Sequence, residues 1–135
     1  MTLFRTTALI ALFAGAALPA AAQSALPTGS PDSLAVPRKY VAWFWEGRAD
    51  SLWSHLAPGL RRRIGSPDAI VAQFLEVTGR FGAESAVLEE RLERGDSTTV
   101  YRRTMKLELS SEPLVFTWVL APDGSIADVG MRPRS

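Results

Sequence analysis

ESAVLEERLERGDSTTVYRRTMKLELSSEPLVFTWVLAPDGSIADVGMRP, residues 84–133, is the stretch that decides the fold. It reads as four strand-forming runs separated by three turn signals: Gly95-Asp96, Ser110-Ser111-Glu112-Pro113 and Pro122-Asp123-Gly124. Taking Gly95-Asp96 as a two-residue type II′ turn sets Leu92 against Thr99, Glu90 against Tyr101, Leu88 against Arg103 and Ala86 against Met105. A loop centred on Ser111-Glu112 then sets Leu109 against Leu114, Leu107 against Phe116, Met105 against Trp118 and Arg103 against Leu120. Both turns gather apolar residues on one face. A one-residue slip would scatter them, so the pattern specifies an antiparallel meander. The last turn is open between two forms. A tight Asp123-Gly124 turn puts Ala127, Val129 and Met131 inward. A type I turn with Pro122 second and Gly124 in a bulge puts Ile126, Asp128 and Gly130 inward, and Pro-Asp-Gly favours it.

Upstream the periodicity changes to helical. A first helix is expected from about Val36 to Glu46, with Pro37 in its first turn and Gly47 after its end. Asp50 is placed as the N-cap of a second helix carrying Leu52, Trp53 and Leu56; Pro58-Gly59 interrupts it before Leu60 and Ile64 continue. Ser66-Pro67-Asp68 opens a third helix. Its buried stripe is read as Ile70, Phe74, Leu75, Thr78 and Phe81, and Gly79 or Gly82 ends it. Helices followed by a meander give an α+β fold: N-terminal helices packed on a four-stranded antiparallel sheet.

The N-terminus reads as a targeting segment. Arg5 supplies a positive charge, Ala8 to Leu18 is an unbroken apolar run of 11 residues, and Ala20-Ala21-Ala22 follows the Pro19 break. Such a run is short for a membrane span and fits a secretory signal cleaved after Ala22. Residues 23–35 read as a flexible linker and 36–133 as one domain. Export to the periplasm or outside the cell is therefore expected, with no membrane span after cleavage. The chain has no Cys, so no disulfide supports the fold there. Removal of Arg5 from 15 basic residues leaves 14 against 14 acidic ones. A neutral domain argues against nucleic acid or an anionic membrane as the main partner.

The helical half, Gly79-Arg80-Phe81, Tyr101 in the second strand, Trp118 in the third and the terminal Asp123-Gly124-Ser125-Ile126 together resemble the nuclear-transport-factor-two-like superfamily. These are cystatin-like α+β cones. The chain is most similar to the uncharacterised domain that often precedes α/β-hydrolases or penicillin-binding-type serine hydrolases; here the sequence ends at Ser135 and no hydrolase is expected. The resemblance implies a curved sheet with helices on its concave side, where superfamily members open a pocket. Some of them are enzymes and many only bind. No catalytic Asp/His pair of the enzymatic members can be placed here.

Arg103 is the sharpest oddity among candidate site residues. The expected register points it into the apolar face, where an unpaired guanidinium costs several kcal/mol. Glu90 is its diagonal neighbour, and Asp128 joins that face if the last turn is bulged. One reading is a pocket in which Arg103 anchors an acidic ligand group, framed by Tyr101 and Trp118. The other is a structural ion pair, or an arginine at the sheet's open end reaching water.

His55 with Ser54 and Asp50 invites a catalytic triad, but adjacent helix residues point about 100° apart. No Gly-x-Ser-x-Gly elbow or Ser-x-x-Lys set is present either. One His and no Cys leave too few ligands for a metal site. No cofactor is implied. Glu89-Glu90, Glu93 and Asp96 interleave with Arg91 and Arg94 as a solvated face would, and Arg61-Arg62-Arg63 is read the same way. Trp43 and Trp45 lie about 200° apart on one helix, so they cannot share a face. One of them is a candidate for an exposed interface.

The function expected is a non-catalytic domain. It would bind a small molecule in the cone, or act as an accessory or homodimerising module with an envelope partner. The alternatives are a small enzyme of isomerase or hydrolase type around Tyr101 and Arg103, and a purely structural interaction module.

Overall fold

A computed structural model describes residues 31–134, with side chains from Ser33. The expected signal segment and most of the linker lie outside the described residues. Helices precede a four-stranded sheet. The elements are α1 (Pro31–Trp45), α2 (Ala49–Ser54), α3 (Pro58–Ile64), α4 (Pro67–Phe81), β1 (Glu84–Arg94), β2 (Thr99–Leu107), β3 (Leu114–Leu120) and β4 (Ile126–Pro133). The sheet is antiparallel throughout, in the order β1-β2-β3-β4. The α+β class and the meander are as the sequence indicates.

Helix α1 begins earlier than its expected start at Val36, so Pro37 sits inside it. Gly47, at φ +72°, ends it with a bond from its amide to the Phe44 carbonyl. Arg48, not Asp50, stands at the cap of α2, and Asp50 lies in the first turn. Pro58 opens α3 and Pro67 opens α4, each where a missing amide hydrogen costs no helix bond. The inward face of α4 is the buried Val77 with the half-buried Ile70, Phe74 and Phe81, an i, i+4, i+7, i+11 stripe. Leu75 is turned away and 61% exposed, while Val77, absent from the expected stripe, is 5% exposed.

Next to the first two turns the register differs from expectation by an even number of residues, which preserves the faces there; beyond the bulges in β1 it is one residue off at Val87–Met105. Arg94 pairs with Thr99 and Glu90 with Arg103, two residues from the expected alignment. The cause is the turn: Gly95 lacks the positive φ that a type II′ turn demands and instead donates to the Thr98 carbonyl (2.7 Å). Met105 pairs with Leu114 and Tyr101 with Trp118, four residues from the expected alignment. Here Glu108 and Leu109 leave the sheet to bond Ala83 and Phe81 at the exit of α4 (2.9 and 2.8 Å). Leu109 is accordingly exposed.

The last turn takes the bulged form. Gly124 donates to the Ala121 carbonyl (2.8 Å) at φ +88°, and Ile126 is fully buried. A second irregularity at Ala127 then restores the alternation. Val129 faces Trp118 and Met131 faces Phe116, while Asp128 and Gly130 pair with the outward residues Val119 and Thr117. The expectation that Asp128 faces inward is thereby corrected: a bulge within the strand cancels the one in the turn.

The core lies between the helices and the inner face of β2 and β3. Tyr40, Val41 and Phe44 of α1 meet Phe116 and Trp118; Tyr40 stacks on Trp118 at 6.1 Å and Phe44 meets Phe116 edge-on at 5.1 Å. Each such fully buried side chain contributes roughly 1.5–3 kcal/mol. The Tyr40 hydroxyl donates to the Gly124 carbonyl (2.7 Å), tying α1 to the last turn.

Candidate functional site

Five side chains form one polar network at the β1 side of the inner face. Arg103 grips Glu84 with both arms (Nε to Oε2 2.7 Å, Nη2 to Oε1 3.0 Å), and its Nη1 donates to Glu90 Oε2 and to the Tyr101 hydroxyl, both at 3.0 Å. The Tyr101 hydroxyl donates in turn to Glu90 Oε2. Arg38 of α1 closes over Glu90 from the helix side, with Nε to Oε2 at 2.9 Å and Nη2 to Oε1 at 2.6 Å. Two carboxylates thus face two guanidiniums, so the network is formally neutral.

The electrostatics follow from that geometry. Hydrogen bonds from Arg38, then Tyr101, hold the Glu90 carboxyl below its ordinary range, against the opposing effect of burial. Burial pushes the Tyr101 phenol up, and its bond to Glu90 adds to that. The bond to Glu84 does most to raise Arg103. A phenol held protonated and a guanidinium saturated by carboxylates offer neither a base nor a free anion anchor.

The structure brings Tyr101, Arg103 and Glu90 together and keeps Asp128 and Trp118 apart from their network. Asp128 lies on β4, where its Oδ1 accepts from Arg63 of α3 (2.9 Å) and from the Val129 amide (2.9 Å). Trp118 lines a cleft on the other side of the inner face. Glu84 and Arg38 complete the network although the sequence did not point to them. Bulges at Ser85 and Leu88 bring Glu84 into line with Arg103's face, and Arg38 reaches Glu90 from 52 residues away.

That cleft, about 570 Å³, opens between α3, α4 and the inner face of β3 and β4. Its walls are mainly apolar: Leu60, Ile64, Ile70, Val77, Phe116 and Met131, with Trp118 beneath. Arg63, Gln73 and Asp128 are its charged or amide side chains. None of the three described cavities is lined by Tyr101, Arg103 or Glu90. The Trp118 indole Nε1 is buried with no hydrogen-bond partner among the described residues, as is that of Trp45.

The two interface candidates are half-buried. Trp43 packs on His55 at 5.0 Å, with Lys39 and Arg48 over its ring at 5.2 and 5.8 Å. Trp45 packs on Phe44 and Phe116. Exposed large apolar side chains lie elsewhere: Val71 and Leu75 on α4, Val87 and Leu88 on β1, Leu109, and Val36. His55 Nδ1 lies 3.0 Å from Ser54 Oγ and 2.9 Å from the Ser51 carbonyl, a local helix-end arrangement. Arg61 caps α2 through the Trp53 and Ser54 carbonyls (3.2 and 3.1 Å). Among the described residues no cluster of His, Asp or Glu could hold a metal ion, and no helix is long and apolar enough to cross a membrane.

Comparisons with protein-family models, curated proteins and solved structures give no match to this chain.

Proposed function

We propose that this is an exported, non-catalytic binding domain whose binding site is the apolar cleft between α3, α4 and β4. The cleft itself carries the reading. At about 570 Å³ it falls within the roughly 300–1,000 Å³ of small-molecule sites, and it has their composition of apolar walls with a few polar groups. The helices-on-sheet arrangement agrees with the resemblance to nuclear-transport-factor-two-like cones, whose members use this side of the sheet. Export rests on the N-terminal apolar run and its Ala-rich end. The enzyme alternative around Tyr101 and Arg103 is disfavoured because that network is saturated by its own carboxylates and borders none of the described cavities.

Titration with 1-anilinonaphthalene-8-sulfonate tests the reading. The full chain should show saturable enhancement of dye fluorescence. Ile64→Trp, which adds bulk at the cleft wall on a half-buried position, should weaken dye binding at least tenfold with an unchanged far-ultraviolet circular dichroism spectrum. Absence of saturable binding to the unaltered protein would remove the cleft as a site.

A further inference from the structure

We propose that β4 is an acceptor strand: its edge takes up an extended peptide from a partner protein, with apolar and acidic residues alternating, as a fifth strand of the sheet. This rests on reading the cleft as the binding site and names the class of ligand it takes.

The sheet order leaves β4 at an edge. The chain already uses that edge once. At Ile126 both backbone groups point away from β3, the amide to the His55 carbonyl and the carbonyl to the Ala57 amide, each 2.8 Å, in a parallel bridge centred on Leu56. Beyond Ile126, among the described residues, the helices supply no further backbone partner to β4. The Val129 amide turns instead to the carboxylate of Asp128. The same oxygen accepts from Arg63 in an exposed ion pair, and an incoming strand's carbonyl could take its place at the amide while that pair is kept. At Gly130, which faces outward with Thr117, nothing stands within 4 Å of where a Cβ would be, so the outer face is open at that position. The opposite edge is protected differently: β1 carries two bulges and a charged run, both of which discourage strand addition. From Asp128 to Pro133 β4 holds unbroken register.

Asp128, Val129, Gly130 and Met131 line two depressions at once. One is the inner cleft. The other, about 310 Å³, is also lined by Arg102, Thr117, Val119 and Arg132 of the outer face. A strand laid along β4 sends successive side chains to opposite faces. One set enters the apolar cleft against Ile64, Ile70 and Phe116. The other meets the outer groove, where Arg132 makes no ion pair among the described residues and Arg102 is held by Glu93. Apolar residues suit the first and acidic residues the second. Main-chain bonds then supply affinity, and the two depressions supply specificity.

The test is a fluorescein-labelled library of capped heptapeptides in which apolar and acidic residues alternate, read by anisotropy against the full chain. Expected are saturable binders that slow amide hydrogen exchange at Val129. N-methylating one alternate set of peptide amides should weaken them at least tenfold and N-methylating the other set little. Val129→Pro should abolish binding; if that variant does not fold, the N-methylated peptides make the same test from the ligand side. Equal tolerance of both N-methylated sets would overturn the proposal. Saturable binding of 1-anilinonaphthalene-8-sulfonate with no peptide bound would also overturn it and leave a small-molecule cleft. No binding of either would overturn it together with the reading beneath it.

Discussion

Arg103 shows how a residue that looks functional in sequence is used structurally. Its side chain is 14% exposed and its two carboxylate partners 16% and 17%. Removing one partner of such a buried set leaves uncompensated charge, a cost of about 3–5 kcal/mol. Arg103→Leu should therefore lower stability by about that amount in urea unfolding, and adding Glu84→Gln and Glu90→Gln to it should recover part of the loss. Glu90 also sets an acid limit. Its carboxyl is held below its ordinary range in the folded state, so its contribution is present above the unfolded value of about 4.3 and is lost as pH falls through the lower folded value. Thermal melts from pH 7 to pH 2 should show stability falling below about pH 4. Glu90→Gln should be less stable than the unaltered chain at pH 7, with a shallower fall in acid. An apolar face interrupted by Arg103 was legible and implied a partner. Glu84 was not, because two bulges in β1 bring it into line and nothing in the run Glu84–Arg94 signals them.

Elements were legible where a period or a Pro marked them, and illegible where a turn was decided by contacts made elsewhere. The Ser111-Glu112 loop could not be placed from its own residues, since Glu108 and Leu109 are drawn off by the exit of α4. Gly82 makes that exit possible. At φ +78° and ψ −168° it occupies a region that is essentially glycine's alone, and a Cβ there would stand 2.9 Å from Glu108 Cβ. Gly82→Ala should cost at least about 1–3 kcal/mol. Gly79, inside α4 with nothing within 4 Å of a Cβ, is the contrast: Gly79→Ala should stabilise by about 0.4–1 kcal/mol. Paired urea melts of these two variants check the assignment of the helix end.

For the molecule as a whole, which faces meet was legible in the sequence, and where a space remains was not. The even shifts beside the first two turns left the apolar faces of β2 and β3 intact, so helices-on-sheet survived those errors. A cleft, by contrast, is what packing fails to fill, and no single residue announces it. Trp118 was expected to frame a pocket with Arg103; it lines a cleft at the β4 side instead, apart from Arg103. Binding is assigned to that cleft. The most direct measurement is ¹H–¹⁵N chemical-shift mapping of the full chain titrated with 1-anilinonaphthalene-8-sulfonate. Shifts should concentrate at Ile64, Ile70, Val77, Val129 and Met131 and at the Trp118 indole. Shifts centred on Tyr101, Arg103 and Glu90 would contradict that assignment.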